Sequence, residues 1–124
     1  MTEYLSTEDA LTIAQIMGFH VRDAGLLASA IARPSTSAFG EEIYSSFARK
    51  CAALIEDINR NHPLVDGNKR LSWVCAVNFA DLNGWDLVAD QMEIYRAISA
   101  IAAGELDLDA IEYWVDAVKT VGRT

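Results

Sequence analysis

The residues of this chain best suited to chemistry lie together in one segment, His62-Pro63-Leu64-Val65-Asp66-Gly67-Asn68-Lys69-Arg70. The segment contains one of only two histidines, an acid, an amide and two adjacent cations, and an apolar run at residues 71–80 follows it directly. A polar loop that leads into a buried helix can bind an anion, because the first backbone N–H groups of a helix have no intrahelical partner and carry partial positive charge. We therefore expect residues 62–70 to form an anion-binding loop together with the start of the helix that follows it.

The individual side chains of this segment suit the binding of a phosphate group. Lys69 and Arg70 would point about 100° apart around a helix, so they can hold an anion from two sides. Asn68 can donate from its amide, and Gly67 lets the backbone approach a ligand closely and present its N–H groups. Asp66 offers the hard oxygen ligands that Mg²⁺ prefers. These residues together predict a site for a phosphate and its metal ion.

His62 adds a group that can move a proton. An imidazole side chain can act as a base near neutral pH, so His62 could accept a proton from an attacking hydroxyl, which would make phosphoryl or nucleotidyl transfer possible. Each residue also has an ordinary interpretation: a turn histidine, a helix-capping aspartate, a solvated pair of cations. These interpretations weaken because all the residues fall within one short segment of an acidic chain. His20 has no such neighbours, and we interpret it as structural or exposed.

The composition limits the classes of protein to which this chain could belong. The chain has 124 residues, of which 52% are hydrophobic, and a net charge of −8. These values predict one folded domain over residues 1–124 and argue against a direct nucleic-acid binder, which would normally carry a basic face. Cys51 and Cys75 fall in apolar patterns and are expected to be buried and reduced, without a disulfide framework or zinc spacing. No signal peptide or membrane-spanning run is found, so we expect a cytoplasmic protein.

The spacing of apolar residues predicts an all-α, compact bundle of about six helices around a buried central helix. A long helix is predicted at 41–59, and a helix at about 67–82 is apolar on almost every side, so it is predicted to be the central, most buried one. Residues 33–40 predict a loop or short hairpin with Phe39 at an exposed tip, and residues 85–89 could be extended. Other helix starts are predicted at Ser6, Asp23, Asp90, and Asp107 or Asp109.

Residues 62–70 closely resemble the signature of the Fic/Doc superfamily in its death-on-curing (Doc) form. Fic proteins carry His-Pro-Phe-x-Asp/Glu-Gly-Asn-Gly-Arg-x-x-Arg, whereas Doc proteins have Lys in place of the second Gly and lack the final Arg. This chain has Lys69 and Trp73 at those two positions and so resembles Doc, with Leu64 in place of the usual Phe. The resemblance covers about residues 5–120 and includes Arg22-Asp23 and Ala32-Arg33-Pro34.

This resemblance implies the all-α Fic/Doc fold and the toxin of a toxin–antitoxin pair. Such a toxin is a protein kinase that transfers the γ-phosphate of ATP to a Thr or Ser hydroxyl of a translation factor, elongation factor Tu in the studied case, and arrests translation. The resemblance also implies roles for particular residues: His62 as general base, Asp66 as a ligand of Mg²⁺, and a phosphate-binding set of Arg60, Gly67, Asn68, Lys69 and Arg70. Residues 33–40 match the flap that positions the target segment.

Lys69 also bears on which group is transferred. Adenylyltransferases of this superfamily need a small residue at this position to fit the α- and β-phosphates, and a lysine fills that room, which favours transfer of the γ-phosphate. A Fic-type adenylyltransferase and a catalytically idle nucleotide- or partner-binding protein remain the alternatives. A toxin that cleaves RNA is disfavoured by the acidity of the chain and its single motif histidine. No inhibitory Ser/Thr-x-x-x-Glu-Gly/Asn motif is found, so we expect inhibition by a cognate antitoxin protein.

Overall fold

The computed structural model describes residues 1–122, which form six α-helices and two small antiparallel sheets of two strands each. This confirms the predicted all-α bundle. The helices are α1 (Thr7–Ile16), α2 (Ala24–Ala32), α3 (Phe47–Asn61), α4 (Asn68–Leu82), α5 (Gln91–Ala102) and α6 (Leu108–Val118). The strand β1 (Ser37–Ala38) pairs with β2 (Glu41–Glu42), and β3 (Trp85–Leu87) pairs with β4 (Lys119–Val121).

Five of the helices begin at a side chain that caps the first turn. The predicted caps Ser6, Asp23, Asp90 and Asp107 each accept a hydrogen bond from the backbone N–H three residues further along the chain, and Ser46, which was not predicted, does the same for α3. A cap of this kind contributes about 1 kcal/mol. Within the described residues α4 alone has no side-chain cap, and it is the helix that follows the predicted anion-binding loop.

The prediction of a helix over 41–59 is wrong at its start. Glu41 and Glu42 form β2, Ile43 is 51% exposed, and the helix begins only at Phe47. The apolar spacing of residues 43–47 is compatible with a helix, but the hydroxyl of Ser46 accepts the N–H of Arg49 and so starts the helix there. Glu41 and Glu42, at the start of the predicted helix, pair with β1 instead.

The bundle has a buried central helix, but that helix is α3 rather than α4. Nine residues of α3 are buried, against six of α4. The helix α3 packs against α2, α4, α5 and α6, so four other helices cover it. Apolar composition misled the prediction, since Val77 and Leu82 of α4 remain exposed. The position of a helix in the bundle, and not its composition alone, decides which helix is covered.

The hairpin of β1 and β2 overlaps the segment 33–40 predicted as the flap but extends past it to Glu42, and Arg33–Ser35 form a short 3-10 helix before it. Phe39 lies fully exposed at the tip of the hairpin, as predicted. Its base is attached to the helices by two cations. Lys50, buried on α3, donates to the carbonyl of Tyr44 and lies 3.2 Å from the Glu42 carboxylate. Arg33 donates to the Tyr44 hydroxyl at 2.8 Å. The base of the flap is therefore fixed, while its apolar tip is free to contact another molecule.

Cys51 and Cys75 are buried and unpaired, as predicted. Burial raises the pKa of each thiol to about 12, so both stay protonated at neutral pH. His20 is exposed, in agreement with its interpretation. Over residues 1–122, no helix has both the length and the apolar character needed to cross a bilayer.

Candidate active site

The loop that carries His62 is fixed by the linker between α1 and α2. His62 follows the last residue of α3 with a left-handed backbone (φ 50°), which a residue other than glycine adopts at a cost. Arg22 stabilises this conformation, because its guanidinium Nε donates to the His62 carbonyl at 3.1 Å and its Nη2 donates to the same oxygen. The N–H groups of Arg22 and Asp23 donate to the Pro63 carbonyl at 2.7 and 3.0 Å.

The same linker pairs with the residues that follow. Val65 donates its N–H to the His20 carbonyl at 3.0 Å, and Val21 forms an antiparallel bridge with Leu64. Arg22 is thus a positioning residue that the sequence analysis noted only as part of the family resemblance. Local patterns could not reveal this role, because forty residues separate the arginine from its partner.

Asn68 closes the loop from the other side. Its Oδ1 accepts the N–H of Leu64 at 2.9 Å, and its Nδ2 donates to the Leu64 carbonyl at 3.2 Å. One N–H of the amide remains available for a ligand. Asp66 is also engaged in part, since one carboxylate oxygen accepts the N–H of Gly67 at 2.9 Å and the other is left for a ligand. Both residues therefore shape the loop as well as facing the site.

The helix α4 follows Gly67, its N-cap residue, and its first backbone N–H groups have no hydrogen-bond partner within the helix. Leu71 is the first residue whose N–H bonds within the helix, to the Gly67 carbonyl at 2.9 Å. Gly67 has φ 98°, and a Cβ atom placed on it would lie 2.6 Å from the ring of Phe19. Phe19 also lies below the Arg70 guanidinium, whose Cζ is 5.7 Å from the ring centroid. Glycine is required here both for its backbone angle and for the close packing of Phe19.

Gly67→Ala is expected to destabilise the protein more than Gly18→Ala does, by at least about 1 kcal/mol in the free energy of unfolding. Gly18 also has a positive φ (77°), but a Cβ atom there would meet nothing within 4 Å. Both variants carry the backbone strain, and only Gly67→Ala must also displace Phe19. Denaturant unfolding of the two variants measures the difference. Equal losses would show that the packing of Phe19 does not require glycine.

One cleft of about 410 Å³ brings together His62, Asp66, Gly67, Asn68, Lys69 and Arg70. Arg60 does not line it: this side chain is 47% exposed and lies 3.7 Å from the Glu56 carboxylate one turn earlier in α3. Within residues 1–122, neither Lys69 nor Arg70 forms a salt bridge, although the chain is strongly acidic. Two full positive charges thus stand beside the free N–H groups of α4, an arrangement that attracts an anion.

Asn59 forms part of the cleft lining and was not predicted. It is 1% exposed, and its Nδ2 donates to the Ile55 carbonyl and to the Ser72 hydroxyl. The Ser72 hydroxyl donates its proton to the Lys69 carbonyl, so it can only accept a hydrogen bond from Asn59. This fixes the orientation of the Asn59 amide. Its Oδ1 is then left buried without a partner. Because Oδ1 only accepts, the group that meets it must be a donor, such as a hydroxyl or a water, and not a phosphate oxygen.

The residues of the cleft do not form a closed metal site. No group of three His, Cys, Asp or Glu side chains that could hold a metal ion occurs in the part of the chain that the structure describes. Asp66 is the single carboxylate that lines the cleft. This fits Mg²⁺ only in the way that nucleotide enzymes use it, with one carboxylate and the remaining ligands from phosphate and water.

Two comparisons with known proteins each gave a match. A model of the Fic/DOC family matches residues 4–80, which include the cleft loop and the flap. A curated protein named "Toxin Doc", from Mycolicibacterium smegmatis, is 44% identical to this chain over 117 residues. That match covers 90% of this chain and 89% of the other protein.

Proposed function

The chain belongs to the Fic/DOC family, and we propose that it is the toxin of a toxin–antitoxin pair, a transferase that phosphorylates a protein hydroxyl with ATP. The observation that carries this proposal is the cleft itself, which His62 lines together with two cations that form no salt bridge within residues 1–122, at a helix start without a side-chain cap. The name of the Mycolicibacterium smegmatis relative supports the toxin role. A cognate antitoxin is then the partner that restrains it.

The chemistry follows from the positions of the side chains. Lys69, Arg70 and the first N–H groups of α4 bind the phosphates, and they stabilise the charge on the oxygens of the transferred group. His62 accepts the proton of the substrate hydroxyl as its oxygen bonds to the γ-phosphorus. The bond from that phosphorus to the bridging oxygen breaks, and ADP leaves. Asp66 would hold Mg²⁺, which supplies charge neutralisation on the phosphates when it is bound.

The size of Lys69 supports γ-phosphate transfer rather than AMP transfer. The side chain stands beside the free N–H groups of α4 and occupies space that a glycine would leave open. A nucleotide held at this helix start must leave room for the lysine, so its terminal phosphate is the one best placed to meet His62. The exposed tip of the flap at Phe39 would contact the protein substrate, for which we propose a translation factor, elongation factor Tu by resemblance.

Incubation with elongation factor Tu, Mg²⁺ and ATP labelled at either the α or the γ position tests the proposal. We expect label from the γ position alone in the protein substrate, with a matching phosphate mass on one Thr or Ser. Label from the α position would instead assign the protein to AMP transfer. No label from either position, with nucleotide binding retained, would assign it to the binding proteins, provided that other translation factors in the assay also stay unmodified.

A further inference from the structure

Lys50 carries the one charge that is buried among the residues that the structure describes. Its side chain is 1% exposed, and the other buried polar residues, Asn59 and Ser72, are uncharged. Its ammonium group donates to the carbonyl oxygen of Tyr44 and lies 3.2 Å from the carboxylate of Glu42. Both of these groups lie at the base of the flap, in residues 42–44. Within residues 1–122, the buried charge is therefore compensated by the flap and not by another helix.

Stability does not explain a charge in this position. Removing an ammonium group from water is costly, and an apolar side chain of similar size often stabilises a protein as well as a buried ion pair does. The Glu42 carboxylate is 57% exposed, so water weakens its attraction for the lysine. A buried pair can instead select one arrangement of the groups around it. The arrangement selected here is that of the flap against α3.

The flap depends on such contacts for its position. Its strands β1 and β2 have two residues each, and a two-stranded hairpin is at best marginally stable by itself. A second cation acts at the same point, because Arg33 donates to the Tyr44 hydroxyl at 2.8 Å. Arg33 is in turn paired with Glu56 and Asp57 of α3 at 2.8 and 2.7 Å. Lys50 therefore holds the main chain of Tyr44 while Arg33 holds its hydroxyl, and α3 supports both cations.

The helix that supports the flap also leads to the proposed general base. Lys50 lies in the first half of α3, and His62 follows the last residue of this helix. The two residues are twelve positions apart in the sequence, which corresponds to about 18 Å along a helix axis. One rigid helix thus sets the distance between the flap and the imidazole.

We propose that Lys50 is a positioning residue for the protein substrate, because its ammonium group fixes the flap on α3 at a set distance from His62. The inference rests on the proposed function, since it takes the flap as the part that contacts the substrate. Lys50 does not line the cleft and so makes no contact with the nucleotide. Without the ammonium group, the substrate has to order the flap as it binds, and this weakens binding without changing the chemistry at His62.

Lys50→Met tests this assignment, because methionine keeps most of the apolar stem and leaves no buried charge behind. With elongation factor Tu at saturating ATP, we expect KM for the protein substrate to rise about 5- to 30-fold, the factor that corresponds to ordering about one residue of backbone, with kcat unchanged. Hydrogen exchange of flap amides, such as the Ile43 N–H that donates to the Thr36 carbonyl, should become faster in the absence of nucleotide and substrate. The midpoint of thermal unfolding should stay the same or rise.

Two neighbouring carboxylates of β2 provide a second variant and its matched control. Glu42→Gln removes the carboxylate that pairs with Lys50, so KM and the exchange rate should change in the same direction as in Lys50→Met. Glu41 is exposed and forms no salt bridge within residues 1–122, so Glu41→Gln removes the same charge and should change both quantities much less. Equal effects of the two glutamine variants would assign the change to the charge of the flap and exclude the role of the lysine.

The two kinds of measurement separate the inference from the function on which it rests. If the flap amides of Lys50→Met exchange as slowly as those of the unmodified protein, the lysine does not fix the flap and the inference is overturned. It is also overturned if exchange becomes faster, or the thermal midpoint falls, while KM stays the same. If the unmodified protein transfers phosphate to no translation factor, the proposed function fails and the inference fails with it, whatever the exchange shows. Glu42→Gln decides the question if Lys50→Met does not fold.

Discussion

Replacing His62 with alanine is expected to lower the rate of phosphoryl transfer about 10²- to 10⁴-fold, the usual contribution of a general base. The side chain is exposed in the cleft and makes no hydrogen bond among the described residues, so the loss should fall on catalysis and not on nucleotide affinity. Steady-state kinetics at saturating ATP, with calorimetry for affinity, separate the two quantities. In cells, the unmodified protein should arrest growth and His62→Ala should relieve the arrest.

Two further variants make this result specific. His62→Asn keeps a side chain that tolerates the left-handed backbone of this position but cannot act as a base at neutral pH, so it should be as inactive as His62→Ala. His20→Ala removes the other histidine, whose side chain does not line the cleft, and should retain full activity. Growth arrest of equal strength with His62→Ala would exclude the imidazole as the base.

Lys69→Met is expected to weaken the binding of both ATP and tripolyphosphate about 10- to 150-fold, the range that one hydrogen bond to a charged group contributes. Methionine keeps much of the apolar stem and removes the charge, so the loss reports on the ammonium group. The difference from the unmodified protein should shrink as salt concentration rises, because added ions screen the interaction. Calorimetric titration at two ionic strengths measures both effects.

Arg96→Met is the matched control for this change. Arg96 is an exposed cation on α5 that does not line the cleft, and removing it changes the net charge by the same amount. It should weaken polyphosphate binding only slightly, through the overall field of the protein. An equal loss in the two variants would mean that net charge, and not a contact with Lys69, governs the affinity.

Local chemistry made much of this protein predictable from its sequence. Helix starts at Ser6, Asp23, Asp90 and Asp107 depend on hydrogen bonds that span only three residues, and the sequence motif predicted the loop because its side chains are contiguous. The start of α3 was missed because apolar spacing was weighted above the capping hydroxyl of Ser46.

Features that depend on distant partners could not be predicted in the same way. The Arg22 contact with His62 joins residues forty positions apart, and β4 exists only because it pairs with β3, more than thirty residues earlier. The covered position of α3 depends on four other helices. The sequence around Asn59 did not indicate a role in the cleft either. Its oxygen is unpaired because the amide nitrogen is the atom that bonds to Ser72 and Ile55.

The pairing of the α1–α2 linker with the active-site loop sets a constraint on chain length. Loops between helices ordinarily accept insertions and deletions, because they run over the surface without fixed partners. Here hydrogen bonds and one antiparallel bridge join residues 20–23 to residues 62–65, and a gain or loss of one residue would displace these contacts along the chain. The number of residues between α1 and α2 therefore helps to set the direction in which the His62 imidazole points.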